Sequence, residues 1–547
     1  MNIAQLLVRC LENEGVRHAF GVPGEENLEL LRAIRKSGTL EFVVTRDERG
    51  ASFMAAAWGR LSGRPGVCIS TLGPGAINML LGVADAFLDF APLVAITAQK
   101  NLSETFKEAH QYVDVFSIYK PVTKWGASIG GKNVPEIVRK AFRVAQTEKP
   151  GPTHLELPED VAQAEAGAQE PMVPAHVLYP EPPGDAVENA VRMIEGAQNP
   201  IIIAGGGVIR AGASRELLKF VRKFSIPLAT TFMAMGAVPS DEELFMSTVG
   251  LQQKDYISCG LEKADLIITV GYDPVEFSPR YWRGGAAKKE KAVIHISATP
   301  AETDAAYQSF ELVGDIRRTL SKLLRVKTGK VMKEPSFFAR LKEIERKGMP
   351  LALSGWPIKP LRLVNEMRNV LGRKDVLISD VGAHKVWIAR FYEAMSPGTV
   401  LISNGLASMG FAIPSAISAK MLCPERKVIA AVGDGGFLMS MSELETAARL
   451  GLSFTVIIWN DGGYGLIGWK ERARFGEEFF TEFGNPDFVK LAESFNAKAY
   501  RVEKESELGP VLRDALKTRG ISVVDCPVDY GENMKLAGMM GEIICPM

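Results

Sequence analysis

Two aspartates have the types and spacing for metal chemistry. Asp434 lies in Gly433-Asp434-Gly435-Gly436-Phe437, and Asp461 lies in Asn460-Asp461-Gly462-Gly463-Tyr464-Gly465. They are 27 residues apart, and each follows a short apolar run, Lys427–Val432 and Phe454–Trp459. A strand–helix–strand unit fits that interval, with one helix over Leu438–Leu450. If the two strands are parallel neighbours, both carboxylates emerge at the same edge of a sheet. Mg²⁺ takes octahedral oxygen ligands and shares phosphate oxygens, so two carboxylates in glycine-rich backbone suit it. The glycines also let backbone N–H groups come close to a diphosphate. Either aspartate alone is better read as an ordinary helix cap. The pair in this setting points to a metal–diphosphate site.

Such a site needs a scaffold, and apolar runs alternate with helical patterns along the whole chain. His18–Val22, Phe42–Thr45, Val67–Ser70 and Leu93–Thr97 read as strands in a first block, with helices over Asn27–Arg35, Glu48–Leu61 and Ala76–Phe87. Pro200–Ala204, Ile226–Ala229, Leu266–Val270 and Val293–Ile296 read as strands in a second block. Val376–Ser379, Val428–Val432, Phe454–Trp459 and Ser522–Asp525 do so in a third. Linkers at Asp160–Val187 and Arg325–Pro357 separate the blocks, the second carrying a short charged helix at 335–348. The fold class expected is α/β, with three tandem domains at 1–165, 185–330 and 355–547. Each would be a mostly parallel sheet covered by helices. Ligands of such sheets bind beyond the carboxyl ends of the strands.

Bulk composition narrows the function classes. At roughly 150 residues per domain, 547 residues make three or four domains. Apolar residues are 46%, charged residues 23% and the mean hydropathy is +0.04, the values of a folded chain. With 64 basic and 64 acidic residues, no nucleic-acid partner and no anionic membrane partner is expected. The six cysteines are scattered without a C-x-x-C pair, against a zinc site or a disulfide framework and in keeping with a reducing compartment. No basic segment leads an apolar core at the N-terminus. The most apolar stretch, Val400–Leu422, is broken by Asn404, Gly405, Gly410 and Pro414, so no membrane span is expected. A cytoplasmic protein fits these features.

The Gly433–Phe437 and Asn460–Gly465 loops together resemble the thiamine-diphosphate binding motif. The whole chain resembles the acetolactate synthase (acetohydroxyacid synthase) group of that family, nearest its FAD-independent catabolic type. The resemblance implies a pyrimidine-binding, a central and a diphosphate-binding domain, in that order. It makes Asp434, Asp461 and the Gly463 carbonyl the Mg²⁺ ligands. Gly433, Gly435, Gly436, Tyr464, Gly465 and Leu466 become cofactor contacts. Val381, Gly382, Ala383 and His384 form a second diphosphate contact, although His384 also reads as a surface histidine at a helix start. Glu48 would hold the far ring nitrogen of the aminopyrimidine; the alternative is a first-turn glutamate favoured by the helix dipole. Met409, with Gly405 and Ala407, would wedge the cofactor into its bent form; the alternative is a core methionine in an apolar helix. Thr71–Asn78 would pack near the cofactor.

The substrate side is mixed. Gln111 matches a substrate-holding glutamine of the synthases, and Lys124 keeps the family spacing. Leu466, Ile467 and Trp469 match the acceptor side of the pocket, which Gly468 would enlarge. Glu25 and His110 depart from the synthase pattern. The Glu25 turn looks more like that of the 2-oxo acid decarboxylases, where Glu25 and His110 could move protons; the alternative is that Glu25 caps the helix starting near Asn27. Asp47, Arg49 and Ala383 depart from the family as well, putting the charge around Glu48 and one diphosphate hydrogen bond in question.

The activity implied is decarboxylation of pyruvate and condensation with a second 2-oxo acid to 2-acetolactate. The alternatives are a decarboxylase releasing an aldehyde and a non-catalytic homologue. A homodimer is the minimal active unit implied, and a homotetramer the expected assembly. Ala204-Gly205-Gly206-Gly207 is not G-x-G-x-x-G. Gly250-Leu251-Gln252-Gln253, Gly271-Tyr272-Asp273-Pro274 and Ser297 depart from the family's flavin pattern, so no FAD is expected.

Overall fold

The computed structural model describes residues 1–174, 177–250, 256–282, 291–301, 308–328, 338–339, 341, 343, 351–533 and 536. Among the described residues, eighteen strands form three sheets of six. The first holds β1 (His18–Gly21), β2 (Glu41–Val44), β3 (Gly66–Ser70), β4 (Leu93–Gln99), β5 (Trp125–Ser128) and β6 (Pro152–Pro158). The second holds β7 (Pro200–Ala204), β8 (Leu228–Thr230), β9 (Phe245–Thr248), β10 (Leu266–Val270), β11 (Ala292–Ser297) and β12 (Phe310–Val313). The third holds β13 (Val376–Ser379), β14 (Val400–Ile402), β15 (Val428–Gly433), β16 (Thr455–Asn460), β17 (Lys498–Arg501) and β18 (Ser522–Pro527).

The sheet orders are β2-β1-β3-β4-β6-β5, β12-β11-β10-β7-β8-β9 and β14-β13-β15-β16-β18-β17. Every pairing in them is parallel. The expected α/β class is therefore the observed one.

The sequence patterns locate four strands per sheet and miss two. Five of the six missed strands, β5, β9, β12, β14 and β17, are sheet edges. An edge strand needs less apolar sequence; β17 has the burial of a half-solvated strand, exposed at both ends. The sixth, β6, is central and buried throughout, but Thr153, His154 and Glu156 with a proline at each end conceal it. The single helix expected over Leu438–Leu450 is two helices, Asp434–Ser440 and Glu443–Arg449, the first starting at the site aspartate itself. Leu251, Gln252, Gln253 and most of segment 335–348 lie outside the described residues. Among the described residues, no helix is long and apolar enough to cross a membrane.

Small residues bring the first and third sheets together. The helix Glu48–Ser62 is capped by Asp47, whose side chain accepts from the Arg49 N–H, and ends at left-handed Gly63. It buries Gly50, Ala51, Ala55, Ala56, Ala57 and Gly59. The helix Ala412–Leu422 buries its first eight residues, so no face of that stretch is left to water. The two helices join one hydrophobic cluster containing Phe53, Met54, Phe411, Ile413 and Ala416. Phe53 and Phe411 meet edge-on at 5.8 Å, and Ser418 Oγ donates to the Met54 carbonyl at 2.7 Å. The first and third domains of one chain thus share a core.

Candidate functional site

β15 and β16 are parallel neighbours with Gly433 opposite Trp459, so Asp434 and Asp461 emerge side by side. Asp434 is buried. Its Oδ1 accepts from the Gly435 N–H, and its Oδ2 accepts from the Gly462 N–H and Asn485 Nδ2, all at 2.8 Å. Asn485 also donates to Asn460 Oδ1 at 3.1 Å. Its own Oδ1 is buried with no hydrogen-bond partner. Asp461 reaches the surface, but desolvation by the loops around it, then the charge of Asp434, raises its pKa to about 7. Two crowded carboxylates beside an orphaned amide oxygen form an oxygen-rich donor set that a divalent cation would satisfy. Asn485 comes from a loop 24 residues beyond Asp461 and carries no signal in the sequence.

The second loop is built on Asp380, at the end of β13. It is fully buried and accepts from the N–H groups of Val381 (2.7 Å), Gly410 (3.0 Å) and Ala412 (3.4 Å). Burial raises its pKa to about 6, against the pull of those donors. Asp380 therefore ties Val381–His384 to the segment that carries Met409. His384 is buried rather than a surface residue. Burial lowers its pKa to about 3, so the imidazole is neutral, and its Nε2 has no partner. A Cβ on Gly382 would stand 2.8 Å from its ring, and one on Gly433 3.4 Å. Glycine at both positions keeps the backbone open over the imidazole.

Met409 belongs to a half-buried loop before the helix Ala412–Leu422, not to the helix. Its Cε lies 3.4 Å from where a Cβ of Gly435 would stand; Tyr464 Cε1 lies 3.0 Å and Phe483 Cζ 3.4 Å from the same point. Methionine and two aromatic rings thus converge over the metal loop. Two domains hold the Met409 loop. Asp89 accepts from the N–H groups of Asn404 (3.1 Å) and Gly405 (2.6 Å), and Lys385 Nζ donates to the Ser403 carbonyl at 2.9 Å. Ala407 adopts a left-handed φ of 58° within this loop.

The carboxyl ends of the first sheet gather the other group of residues. Asn78 Nδ2 donates to Glu48 Oε2 at 2.8 Å and to Asp47 Oδ1 at 3.0 Å. A Cβ on Gly75 would lie 3.0 Å from Glu48 Oε1, so Thr71–Asn78 does pack on the glutamate. Asp47 and Arg49 neutralise each other through contacts of 3.0 and 2.8 Å. Burial pushes Asp47 up, but Arg49 outweighs it and the pKa falls below the usual carboxylate range. The two departures from the family pattern thus compensate.

Gln111 is exposed, with its carbonyl against Gly73. His110 and Glu25 are exposed as well. Glu25 does not cap the helix: Asn27 Oδ1 accepts from the Gly24 N–H instead. Its neighbour Glu26 is the buried one, accepting from Thr71 Oγ1 at 2.7 Å and Lys100 Nζ at 2.9 Å. Lys124 is spent on structure, donating to the carbonyls of Val144 (2.7 Å) and Thr147 (2.5 Å). On the far side, Ile467 is 49% exposed, Leu466 is partly buried and Trp469 is buried. Gly468 opens no extra space, because the Glu478 carboxylate lies 2.9 Å from its Cβ position.

These residues can now be set beside known proteins. Residues 380–526 match the thiamine pyrophosphate enzyme C-terminal TPP binding domain, 1–118 the N-terminal TPP binding domain and 187–323 the central domain of the same family. The chain is 34% identical over 541 residues to an acetolactate synthase of Bacillus subtilis, covering 98% of this chain and 94% of that protein.

The chain belongs to the acetolactate synthase group of thiamine-diphosphate enzymes.

Within that group it is 35% identical over 546 residues to a catabolic acetolactate synthase of Raoultella terrigena, covering 98% of this chain and 97% of that one. It is 33% identical over 571 aligned positions to a probable acetolactate synthase large subunit of Methanocaldococcus jannaschii, covering 100% and 96%. The alignments run through all three sheets.

Proposed function

We propose that the protein is an acetolactate synthase, dependent on thiamine diphosphate and Mg²⁺, that decarboxylates pyruvate and condenses the product with a second pyruvate to give 2-acetolactate. The supporting observation is Asp434 and Asp461 at neighbouring strand ends, with Asn485 bonded to Asp434 and Met409 packed against Gly435, in a chain similar to acetolactate synthases along its whole length. When bound, the cofactor supplies a thiazolium carbon that adds to the 2-oxo acid and takes up the electrons left by departing CO₂.

The protein's own residues do the rest. Asp434, Asp461 and the Gly463 carbonyl hold the metal, with Asn485 orienting Asp434. Gly382, Gly433 and Gly435 leave backbone open to the diphosphate. Met409 fixes the cofactor's bend. Glu48 holds a proton at the ring nitrogen; Asn78 orients its carboxylate, and the Asp47–Arg49 pair keeps a second free negative charge away. Gln111 holds the substrate carboxylate, with Glu25 and His110 on the rim of the same opening. Ile467, Leu466 and Trp469 line the acceptor side.

The site is shared between two copies. Asn78, which holds Glu48, lies in the second turn of the helix Pro74–Leu88, and Asp89, which holds Asn404 and Gly405, is its C-cap. The same apolar helix exposes Ile77 and Leu81, a face that a second subunit would cover. A homodimer is therefore the minimal active unit, assembling further to a tetramer. The test is incubation with pyruvate, Mg²⁺ and thiamine diphosphate, measuring acetolactate against acetaldehyde. Acetolactate as the main product supports the reading. Acetaldehyde alone would replace it with the decarboxylase reading that the Glu25 turn suggests, and no product from pyruvate would remove both.

A further inference from the structure

The central sheet runs β12-β11-β10-β7-β8-β9, so the direction of strand order reverses between β7 and β10. Open parallel sheets take their ligands at that reversal, beyond the carboxyl ends of the strands. Here the turn Ala204-Gly205-Gly206-Gly207 after β7 faces Gly271-Tyr272-Asp273 after β10. A Cβ on Gly205 would stand 2.5 Å from the Gly271 carbonyl oxygen, and one on Gly207 2.8 Å from Gly271 Cα. Backbone N–H groups of such a glycine turn ordinarily receive phosphate oxygens.

In this chain the Gly206 N–H receives a carboxylate instead, and the Gly205 and Gly207 N–H groups donate to the Val270 and Gly271 carbonyls, both at 2.9 Å. The Gly206 N–H donates to Glu276 Oε2 at 3.0 Å and Oε1 at 3.2 Å, and Thr231 Oγ1 donates to Oε2 at 2.5 Å. Glu276 is 6% exposed. Around it, Arg210 Nε and Nη2 pair with Glu148 at 3.0 and 2.9 Å, and Lys149 pairs with Asp273 at 2.6 Å. Among the described residues, the crevice therefore sets the carboxylates of Glu148, Asp273 and Glu276 against the cations of Lys149 and Arg210. An incoming phosphate would find its donors used and its cations already paired. Burial raises the Glu276 pKa to about 7, while the Arg210 charge and the Thr231 hydrogen bond oppose the rise.

We infer that Glu276 is a built-in anion that closes the phosphate slot of the central domain to dinucleotides such as FAD, and that its removal opens the slot to a nucleoside diphosphate. The slot shares no residue with the site assigned to carboligation, so the inference stands whichever product pyruvate yields.

The test uses holoenzyme saturated with thiamine diphosphate and Mg²⁺, so that the other diphosphate site is filled. FAD and ADP are titrated into wild type, Glu276→Ser and Glu276→Gln, with binding followed by calorimetry and by the rise in melting temperature. Wild type is expected to bind neither probe. Glu276→Ser, with the slot emptied, is expected to bind ADP at least tenfold more tightly than wild type. Glu276→Gln keeps the volume but loses the charge, and is expected to gain about threefold; it reports even where the serine variant does not fold. One FAD or ADP bound per wild-type chain would overturn the inference, as would equal affinities in wild type and the folded variants.

Discussion

The first and third sheets have the same strand order, 2-1-3-4-6-5 when each is numbered from its own first strand. On the proposed reading both place their chemistry beyond the carboxyl ends of the strands, and they would supply opposite halves of a site. The third presents glycine-rich backbone and two crowded aspartates, which suit a cation and a diphosphate. The first presents Glu48, held by Asn78, which suits a proton at a nitrogen. Topology sets where a site can form, and loop residues set what it does. The central sheet makes the point by contrast: its reversal point lies where a ligand would bind, but Glu276 fills it.

Substitutions can break this division of labour. Asp434→Ala should have the largest effect, lowering Mg²⁺-dependent cofactor affinity by more than about 10²-fold, beyond the usual cost of removing an outer partner. Calorimetry at fixed Mg²⁺ checks it. Glu48→Gln should lower turnover about 10²–10⁴-fold while leaving cofactor affinity nearly unchanged. Full activity in that variant would remove the first sheet from the chemistry. Asn485→Ala should weaken Mg²⁺ about 10–100-fold, with activity restored by excess metal. An unchanged Mg²⁺ titration would reduce Asn485 to a packing residue.

The smallest effect concerns the seam between the two sheets. Glu443 accepts from the N–H groups of Arg46 and Asp47, both at 3.1 Å, and burial raises its pKa to about 7. The fold thus favours the protonated form. Its contribution to stability is complete below the unfolded value near 4.3 and is lost as pH rises through about 7. Glu443→Gln mimics the protonated carboxyl, so its stability relative to wild type should climb by roughly 1–3 kcal/mol between pH 5 and 8. A difference that stays flat across that range would show that the seam does not titrate.

Several features are legible in the sequence. The Asp434–Asp461 interval, the glycines beside them and the apolar runs before them imply parallel neighbouring strands with two carboxylates at one edge. That follows from the period of strands and the length of a crossover helix, both local properties. Other features depended on residues distant in sequence. Asn485 reaches Asp434 only through a loop path, His384 packs against Gly382 and Gly433, and Lys124 is drawn to helix-end carbonyls. The Glu25 position pointed to a proton carrier, whereas the structure ties in Glu26, one residue along, through Thr71 and Lys100.

The sequence by itself determined the layered α/β class, the three-block order and the placing of Asp434 and Asp461 at neighbouring strand ends, because periodicity and glycine spacing act over a few residues. Only the tertiary structure decided which polar groups are satisfied and which are orphaned. Hydrogen bonding and desolvation depend on neighbours hundreds of residues away, as Asp89 on Gly405 and Glu443 on Asp47 show.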